Sequence, residues 1–512
     1  MPATLADLFE YSTKTYTDRL FTTYADGREQ YTYGQFKAKT VEISALMSAY
    51  GIGSREKVVI LSENTPNYAV VLFAATAFGR VMVPILPDCS ENEVGNIIVH
   101  SEAKAVFASS SQLSKVSPEN MERLELVVNM STFEVVKGNS VETPAAIVES
   151  LPDDLAAILY TSGTSGNAKG VMLSHRNLCH NLVGIPDLFE CHEGFRFLSI
   201  LPIAHTYEMS IGLLFPMASG VSIYYLGKTP TPSALIAALT QVKPHGMCSV
   251  PLVIEKIYRK SVLKTVKGSK ALTWLQAHAP ALLYRIIGKK LLKTFGGELE
   301  VVAIGGAKMD PEVEAFLQMA RFPYLIGYGL TETAPLVCAN KLGKKPIGQT
   351  GPHARGVQIR IDNPDPITGK GELVVKGPNV MLGYYKDPER TAEAFTKDGW
   401  FRTKDLATLD KAGNVYITGR LGNMILGPSG ENIYPEEIEV VINSIDGVEE
   451  SLVKSENGHL VAIVKLADGA AVPDIMGITN KLVNKASQLG EVRYITEPFV
   501  KTATQKIRRF LY

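Results

Sequence analysis

Tyr160-Thr161-Ser162-Gly163-Thr164-Ser165-Gly166-Asn167-Ala168-Lys169-Gly170 is the stretch on which the reading of this chain turns. An apolar run, Leu155 to Leu159, precedes it and reads as a buried strand. Val171-Met172-Leu173 follow, and then Ser174, a good cap for a helix starting near His175. Thr161, Ser162, Thr164 and Ser165 contribute hydroxyls. Gly163, Gly166 and Gly170 let backbone N–H groups turn inward, and Lys169 adds a mobile positive charge. Hydroxyls, amides and an ammonium all donate to anionic oxygens, so the loop suits a polyphosphate. It is not a Walker A loop: G-x-x-x-x-G-K-[ST] is required there, and here Lys169 directly precedes Gly170. A flexible Ser/Gly linker is the plain alternative, but a linker is seldom bracketed by an apolar strand and a capped helix.

Outward from this loop, short β-rich runs alternate with helical patterns. The runs are Lys57 to Leu61, Val81 to Leu86, Leu155 to Tyr160, Phe197 to Leu201, Val301 to Ile304 and Tyr324 to Gly327. That alternation predicts parallel sheets covered by helices. Asp310-Pro311-Glu312 marks a helix start, with a cap, a proline at the first position and an acid in the first turn. The apolar stretch Tyr68 to Leu86 holds Gly79, Arg80 and Pro84, so it reads as a buried helix from about Tyr68 to Phe78 and then a strand, not as a membrane span. From about Pro352 the texture becomes β-rich: Val357 to Ile361, Glu372 to Lys376, Asn414 to Thr418. After Arg420 it restarts as a compact α+β unit, with a helix beginning at Pro435 and strands at Leu460 to Leu466 and Val492 to Ile495. The expected fold is therefore α/β: a large N-terminal domain of helix-covered parallel sheets with a β-rich subdomain, hinged to a small α+β domain. The boundaries fall at 1–419, a hinge at 420–425, and 426–512.

With 512 residues the chain is long enough for several domains, and Lys plus Arg balance Asp plus Glu at 52 each, so overall charge makes no case for nucleic acid. Five cysteines are scattered without metal-ligand spacing, which suits a reducing cytoplasm, and Met1 to Leu20 has no apolar signal core.

Further segments suggest one nucleotide chemistry. Gly305-Gly306-Ala307-Lys308 follows a strand, and small residues there let a flat ring approach the backbone; an ordinary strand-to-helix turn reads equally well. In Gly327-Tyr328-Gly329-Leu330-Thr331-Glu332-Thr333, Tyr328 is placed to stack on a base, and Glu332 is a hard oxygen ligand of the kind Mg²⁺ takes beside phosphates. Asp405 is an acceptor-only group suited to two ribose hydroxyls, or else a turn or helix-capping aspartate. Arg420 offers a guanidinium from the hinge. Lys506 lies in a basic C-terminal stretch that by default is a solvated tail.

In their order these segments resemble the adenylate-forming superfamily: acyl-CoA synthetases, peptide-synthetase adenylation domains and luciferases. The resemblance runs from the Val58-to-Pro87 region to Lys506. It implies that Tyr160 to Gly170 is a phosphate-binding signature and that Tyr328 to Thr333 is an adenine and magnesium motif, with Thr331 near the α-phosphate. Thr161 and Glu332 would be the magnesium ligands, Asp405 the ribose aspartate, Arg420 the arginine before the hinge, and Lys506 the catalytic lysine. Pro202-Ile203-Ala204-His205 matches a motif whose last side chain lines the acyl and adenine site, and Gly430 and Glu431 match a segment lining a pantetheine tunnel. The implied chemistry has two steps. A carboxylate attacks the α-phosphate of ATP with Mg²⁺, giving acyl-AMP and diphosphate; the small domain then rotates and the thiol of coenzyme A displaces AMP. Three positions depart from the pattern: Gly422 where relatives usually carry a charge, Lys404 where glycine commonly precedes the aspartate, and Gln505 for the glycine before Lys506.

Between Glu255 and Glu298 no acid occurs, whereas Lys256, Arg259, Lys260, Lys264, Lys267, Lys270, Arg285, Lys289, Lys290 and Lys293 do. Leu282, Leu283, Ile286, Ile287, Leu291 and Leu292 give this stretch an amphipathic helical pattern. It reads either as a solvated helix packing its stripe on the core or as a surface touching an anionic membrane from the cytoplasmic side. A basic stretch at this place is similar to long-chain fatty acyl-CoA synthetases, so a long- or medium-chain fatty acid is the expected substrate. An enzyme that stops at acyl-AMP or loads a carrier-protein thiol is the nearest alternative. A non-catalytic nucleotide sensor is disfavoured because Lys169, Glu332, Asp405, Arg420 and Lys506 are all in place. A homodimer is left open.

Overall fold

The computed structural model describes residues 2–162, 168–227, 231–426, 432–456, 458–501 and 507–512. The side chains of residues 162, 168, 260 and 432 are not described. Two eight-stranded sheets carry the architecture. In the first, Val81–Ile85, Lys57–Leu61, Ala105–Ala108 and Leu126–Asn129 run parallel, and Leu155–Ser162 joins Val81–Ile85 in the same sense. In the second, Leu20–Tyr24, Ser222–Tyr225, Arg196–Ser199, Gly246–Ser249, Val301–Ile304 and Tyr324–Gly329 are parallel neighbours. Helices cover both sheets, as continuous apolar strands buried on two faces require.

The stretch at Tyr68 to Leu86 folds as its glycine and proline dictate. Thr65 caps a helix at Pro66–Thr76 with every residue buried, and the strand Val81–Ile85 follows. Arg80, between them, is wholly buried. It donates to Ile52 O, Ala74 O, Ser44 O and the Ser44 and Ser48 hydroxyls at 2.7–3.2 Å, with no carboxylate among these partners. A guanidinium so satisfied pins the helix Tyr33–Ala49 to the turn that reverses the chain. Asp310 caps Pro311–Met319, its carboxylate accepting the Glu312 N–H at 2.8 Å.

Two local features add to the reading. The signature loop does not lead directly from strand to helix. Ala168–Ser174 turns back as an antiparallel partner of Leu155–Ser162, so the loop is the tip of a hairpin, and only then does Ser174 cap His175–Gly184. A connection this short cannot join parallel strands, so this edge of the sheet is antiparallel. And of the two readings of Asp405, the turn or helix cap falls away: it lies inside the strand Phe401–Leu409. That strand is the third of a four-stranded antiparallel sheet with Gln358–Asp362, Gly371–Lys376 and Val415–Arg420.

After the single 3₁₀ turn Leu421–Asn423 come a helix at Pro435–Asn443 and a three-stranded sheet of Val448–Glu456, His459–Leu466 and Leu489–Ile495. These share an apolar core of their own, built on Ile438, Ile442, Val453, Ala462 and Val464. Ion pairs Lys370–Glu437 and Lys267–Asp446, both 2.7 Å, tie this part to the rest of the chain.

Candidate nucleotide-binding site

The two hairpin strands set Thr161 directly opposite Lys169. Lys169 Nζ then lies 5.3 Å from the centre of the Tyr384 ring. Partial burial lowers the Lys169 ammonium from its ordinary range; Glu332 opposes the shift, and Arg390, Lys404 and Arg420 add to it. Lys169, Arg390, Lys404 and Arg420 thus converge on one place with Arg402 and the carboxylates Glu332 and Glu393. With Tyr384 they line a cavity of about 200 Å³. Cations that disfavour the charged form of Lys169 favour an anion between them, as a polyphosphate would provide.

Glu332 sits in the 3₁₀ turn Thr331–Thr333 that ends the strand Tyr324–Gly329. Its backbone carbonyl accepts the Met381 N–H, and its Oε1 accepts the Tyr384 hydroxyl, both at 2.9 Å. Thr331 is buried beside it. The strand can turn here only because residue 329 is glycine: a Cβ would lie 1.8 Å from Pro335 O.

Asp405 owes its aim to a β-bulge. Pairing jumps from Val374↔Arg402 to Glu372↔Leu406, so Thr403, Lys404 and Asp405 face the single residue Leu373. Lys404 takes the left-handed conformation this demands, φ 60°, which explains the glycine common at this position in the resembling family. Glu372 braces the bulge, accepting the Lys404 N–H at 3.1 Å and pairing with Arg402 at 2.7 Å. On its other side Asp405 faces Arg420, whose Nε is 3.0 Å from Oδ1, while the Tyr328 hydroxyl donates to Oδ2 at 2.6 Å. Burial, and then the Asp405 charge, push the Tyr328 phenol well above its ordinary range, so it stays a donor.

A second, apolar cavity of about 50 Å³ gathers His205, Gly305, Gly306, Tyr328 and Gly329. His205 caps the short helix Thr206–Glu208, its Nδ1 accepting the Tyr207 N–H at 3.2 Å. Ala307 follows the turn, is exposed, and lines neither cavity. Gly163, Thr164, Ser165, Gly166, Gly430, Glu431 and Lys506 lie outside the described residues, as does the side chain of Ser162. The residues flanking Lys506 are placed: Lys501 and Ile507 form an antiparallel bridge, and Lys501 Nζ is 2.8 Å from Glu450.

Several lining residues are absent from the motifs above. Tyr384 and Arg390 belong to Gly383-Tyr384-Tyr385-Lys386-Asp387-Pro388-Glu389-Arg390, where Gly383–Tyr384 adds a two-residue strand to Ala168–Ser174. Their signal is a glycine and aromatic pair before a Pro-Glu helix start, common enough to be passed over. Tyr207 stands two residues after His205 and donates to Ala303 O at 2.7 Å.

Comparison with known proteins agrees with this geometry. The long-chain-fatty-acid–CoA ligase FadD15 of Mycobacterium bovis is 30% identical over 441 residues, 78% of this chain and 71% of that protein. A chloroplastic long-chain-fatty-acid–[acyl-carrier-protein] ligase of Arabidopsis thaliana, AEE15, is 26% identical across 98% of this chain and 84% of its own length. Among solved structures, ATP-bound MatB from Rhodopseudomonas palustris superposes with a TM-score of 0.80 at 24% identity, covering 99% of this chain and 98% of its own. The o-succinylbenzoate coenzyme A synthetase MenE of Bacillus subtilis, in complex with AMP, does so at 0.80 and 20%, covering 98% and 97%. The family described as AMP-binding enzyme matches residues 9–385. With cations and carboxylates gathered around one cavity, an aspartate–tyrosine pair beside it, and that family spanning most of its length, the chain belongs to the AMP-binding enzymes of the adenylate-forming superfamily.

Proposed function

We propose that this adenylate-forming ligase activates a long- or medium-chain fatty acid with ATP and passes the acyl group to coenzyme A, giving acyl-CoA, AMP and diphosphate. The observation that carries this reading is the convergence of Lys169, Arg390, Lys404 and Arg420 with Glu332 on one cavity, beside the Tyr328–Asp405 pair. Attack of a carboxylate on a phosphate brings two anions together, and fixed cations in a partly dry cleft lower that barrier. Asp405 would accept from the ribose hydroxyls, Tyr328 would stack on the base, and Lys169 and Arg420 would hold phosphate oxygens. His205 and the apolar cavity behind Tyr328 would receive the start of the acyl chain. The Thr161 hydroxyl and the Glu332 carboxylate are hard oxygen donors that suit Mg²⁺, and Glu332 has no ion pair among the described residues. Magnesium held there would supply further positive charge to the phosphates. Lys506 would add the last cation from residues 426–512, and movement about 420–425 would withdraw it before Gly430 and Glu431 guide the thiol in.

The chain-length assignment rests on the basic stretch and on the names of relatives at 30% identity or below. AEE15 gives the carrier-protein acceptor enough weight to test beside coenzyme A. Purified protein with ATP, Mg²⁺ and acids from acetate to stearate should release AMP with the longer chains and, with coenzyme A added, yield acyl-CoA by mass spectrometry. Loading of a carrier protein without acyl-CoA would replace the acceptor, and absence of AMP with every acid would end the proposal. Lys506→Ala should cut acid-dependent diphosphate release by orders of magnitude while leaving thioester formation from supplied acyl-AMP much less affected. Equal losses would remove Lys506 from its assigned role.

A further inference from the structure

The basic stretch divides its apolar residues between two faces. It folds as the helices Lys270–His278 and Pro280–Thr294 after a turn at Lys264–Lys267. Leu283 and Tyr284 are buried in the second apolar core, with Ile287, Leu291 and Leu292 packed against it. Gly288 presses the second helix so closely on Ala320 that a Cβ would lie 2.3 Å from its carbonyl oxygen. The core needs nothing more from this hairpin. Yet Leu282 and Ile286 point outward, 54% and 56% exposed, and so does Trp274 on the first helix, at 61%.

Those outward residues stand in basic surroundings. Leu282, Ile286, Lys289 and Lys293 follow one another at helical spacing along one exposed stripe, with Arg285 and Lys290 beside it. Lys270, Trp274 and His278 form the matching stripe of the first helix, the two rings stacked at 4.5 Å. Lys267 is engaged by Asp446, but none of Lys270, Arg285, Lys289, Lys290 or Lys293 has an ion pair among the described residues. No acid interrupts the sequence from Lys256 to Gly297. Outward apolar side chains scattered singly are ordinary, but here three fall within one hairpin free of acids. A polyanion site would use the lysines and leave the apolar side chains idle. An anionic bilayer uses both: phosphate headgroups meet the lysines, while Trp, Leu and Ile enter the interfacial layer.

We infer that the helical hairpin 270–294 is a docking surface for anionic lipid bilayers, anchored by Trp274, Leu282 and Ile286 and attracted by Lys270, Arg285, Lys289, Lys290 and Lys293. No helix among the described residues is long and apolar enough to cross a membrane, so the contact is peripheral. The inference stands apart from the reaction, since the binding is read without any substrate.

The test is flotation of the full chain with vesicles of phosphatidylcholine alone and of phosphatidylcholine with 30% phosphatidylglycerol, from 50 to 500 mM salt. Binding should require phosphatidylglycerol and fall at least tenfold across that range. Trp274→Ser/Leu282→Ser/Ile286→Ser should reduce partitioning at least tenfold at 50 mM salt, and Lys289→Gln/Lys290→Gln/Lys293→Gln should abolish its lipid dependence. All six sites that carry these changes face solvent, so unchanged melting temperature and AMP binding check the fold. Three results overturn the inference: no binding to anionic vesicles, unaltered binding by the apolar variant, or a change in that variant confined to self-association by sedimentation velocity.

Discussion

Asp405 and Arg420 face each other across adjacent antiparallel strands, Arg420 Nε standing 3.0 Å from one carboxylate oxygen while the Tyr328 hydroxyl donates to the other at 2.6 Å. The carboxylate is thereby fixed in orientation before any nucleotide arrives. Asp405→Asn keeps the shape but loses the charge-assisted acceptor, a change of about 1.5–3 kcal/mol. AMP affinity measured by calorimetry should fall roughly 10–100-fold. Tyr328→Phe, which keeps the ring, should lose about tenfold or less. Wild-type AMP affinity in Asp405→Asn would remove Asp405 from the ribose site.

Lys404 is held at φ 60° by the bulge that aims Asp405. For a residue with a Cβ this conformation costs on the order of 1 kcal/mol. Lys404→Gly should therefore raise the urea midpoint of unfolding, by about 1 kcal/mol of stability. The same change removes one cation from the cavity, so ATP should bind more weakly and with a smaller dependence on salt. Stability and nucleotide affinity moving in the same direction would contradict this assignment.

Tyr384 donates to Glu332 Oε1 at 2.9 Å, with Lys169 Nζ 5.3 Å from the centre of its ring. Tyr384→Phe leaves the ring and frees the carboxylate to rotate. Activity should then require roughly tenfold more magnesium, the order of loss seen when the partner that orients a metal ligand is removed. Titration of acid-dependent diphosphate release against magnesium chloride reads this directly, and an unmoved half-saturation point would show that Tyr384 does not orient Glu332.

Much of this site is legible in the chain because glycine and proline leave marks that side-chain packing cannot erase. Gly329 is required by the approach of Pro335 O, and Pro311 and Pro435 open helices where the sequence places them. Strands buried on both faces are equally plain, as in Lys57–Leu61 and Val301–Ile304. What is hidden depends on register. For Asp405 the alternative of a capping residue stays open in the sequence because its strand, Phe401–Leu409, mixes charged and apolar residues, and only the bulge shows its aim. Tyr384 and Arg390 come to the cavity through a two-residue strand pairing across more than 200 positions, which no local pattern announces. The apolar residues 282–292 have the period of one amphipathic face, yet Leu282 and Ile286 stand about 100° round the helix from Leu283 and Ile287 and are exposed.

Glu208 supplies a test of a different kind. It lies one residue after Tyr207, fully buried, in a helix that widens into a π-helical turn at Met209–Leu214. Gly212 leaves room for its carboxyl, since a Cβ there would lie 2.5 Å from Oε1. Neither oxygen has a hydrogen bond of good geometry, and the Ser199 hydroxyl and Cys248 thiol beside it only partly offset burial. Tyr207, Cys248 and Tyr225 are the titratable groups around it, none of them cationic, and its carboxyl is pushed up to about 8. The folded state therefore keeps a proton that the unfolded chain gives up near 4.5. Stability from this group is complete below that lower value, declines as pH rises between the two, and levels off above about pH 8. Glu208→Gln cannot titrate. The stability of the variant relative to the parent should rise through this window at roughly 1.4 kcal/mol per pH unit. Urea unfolding of both proteins at matched concentration from pH 5 to 9 measures that difference. A difference that stays flat across the window would mean that Glu208 is ionised in the folded protein, and that a cation or a chain of water molecules reaches it.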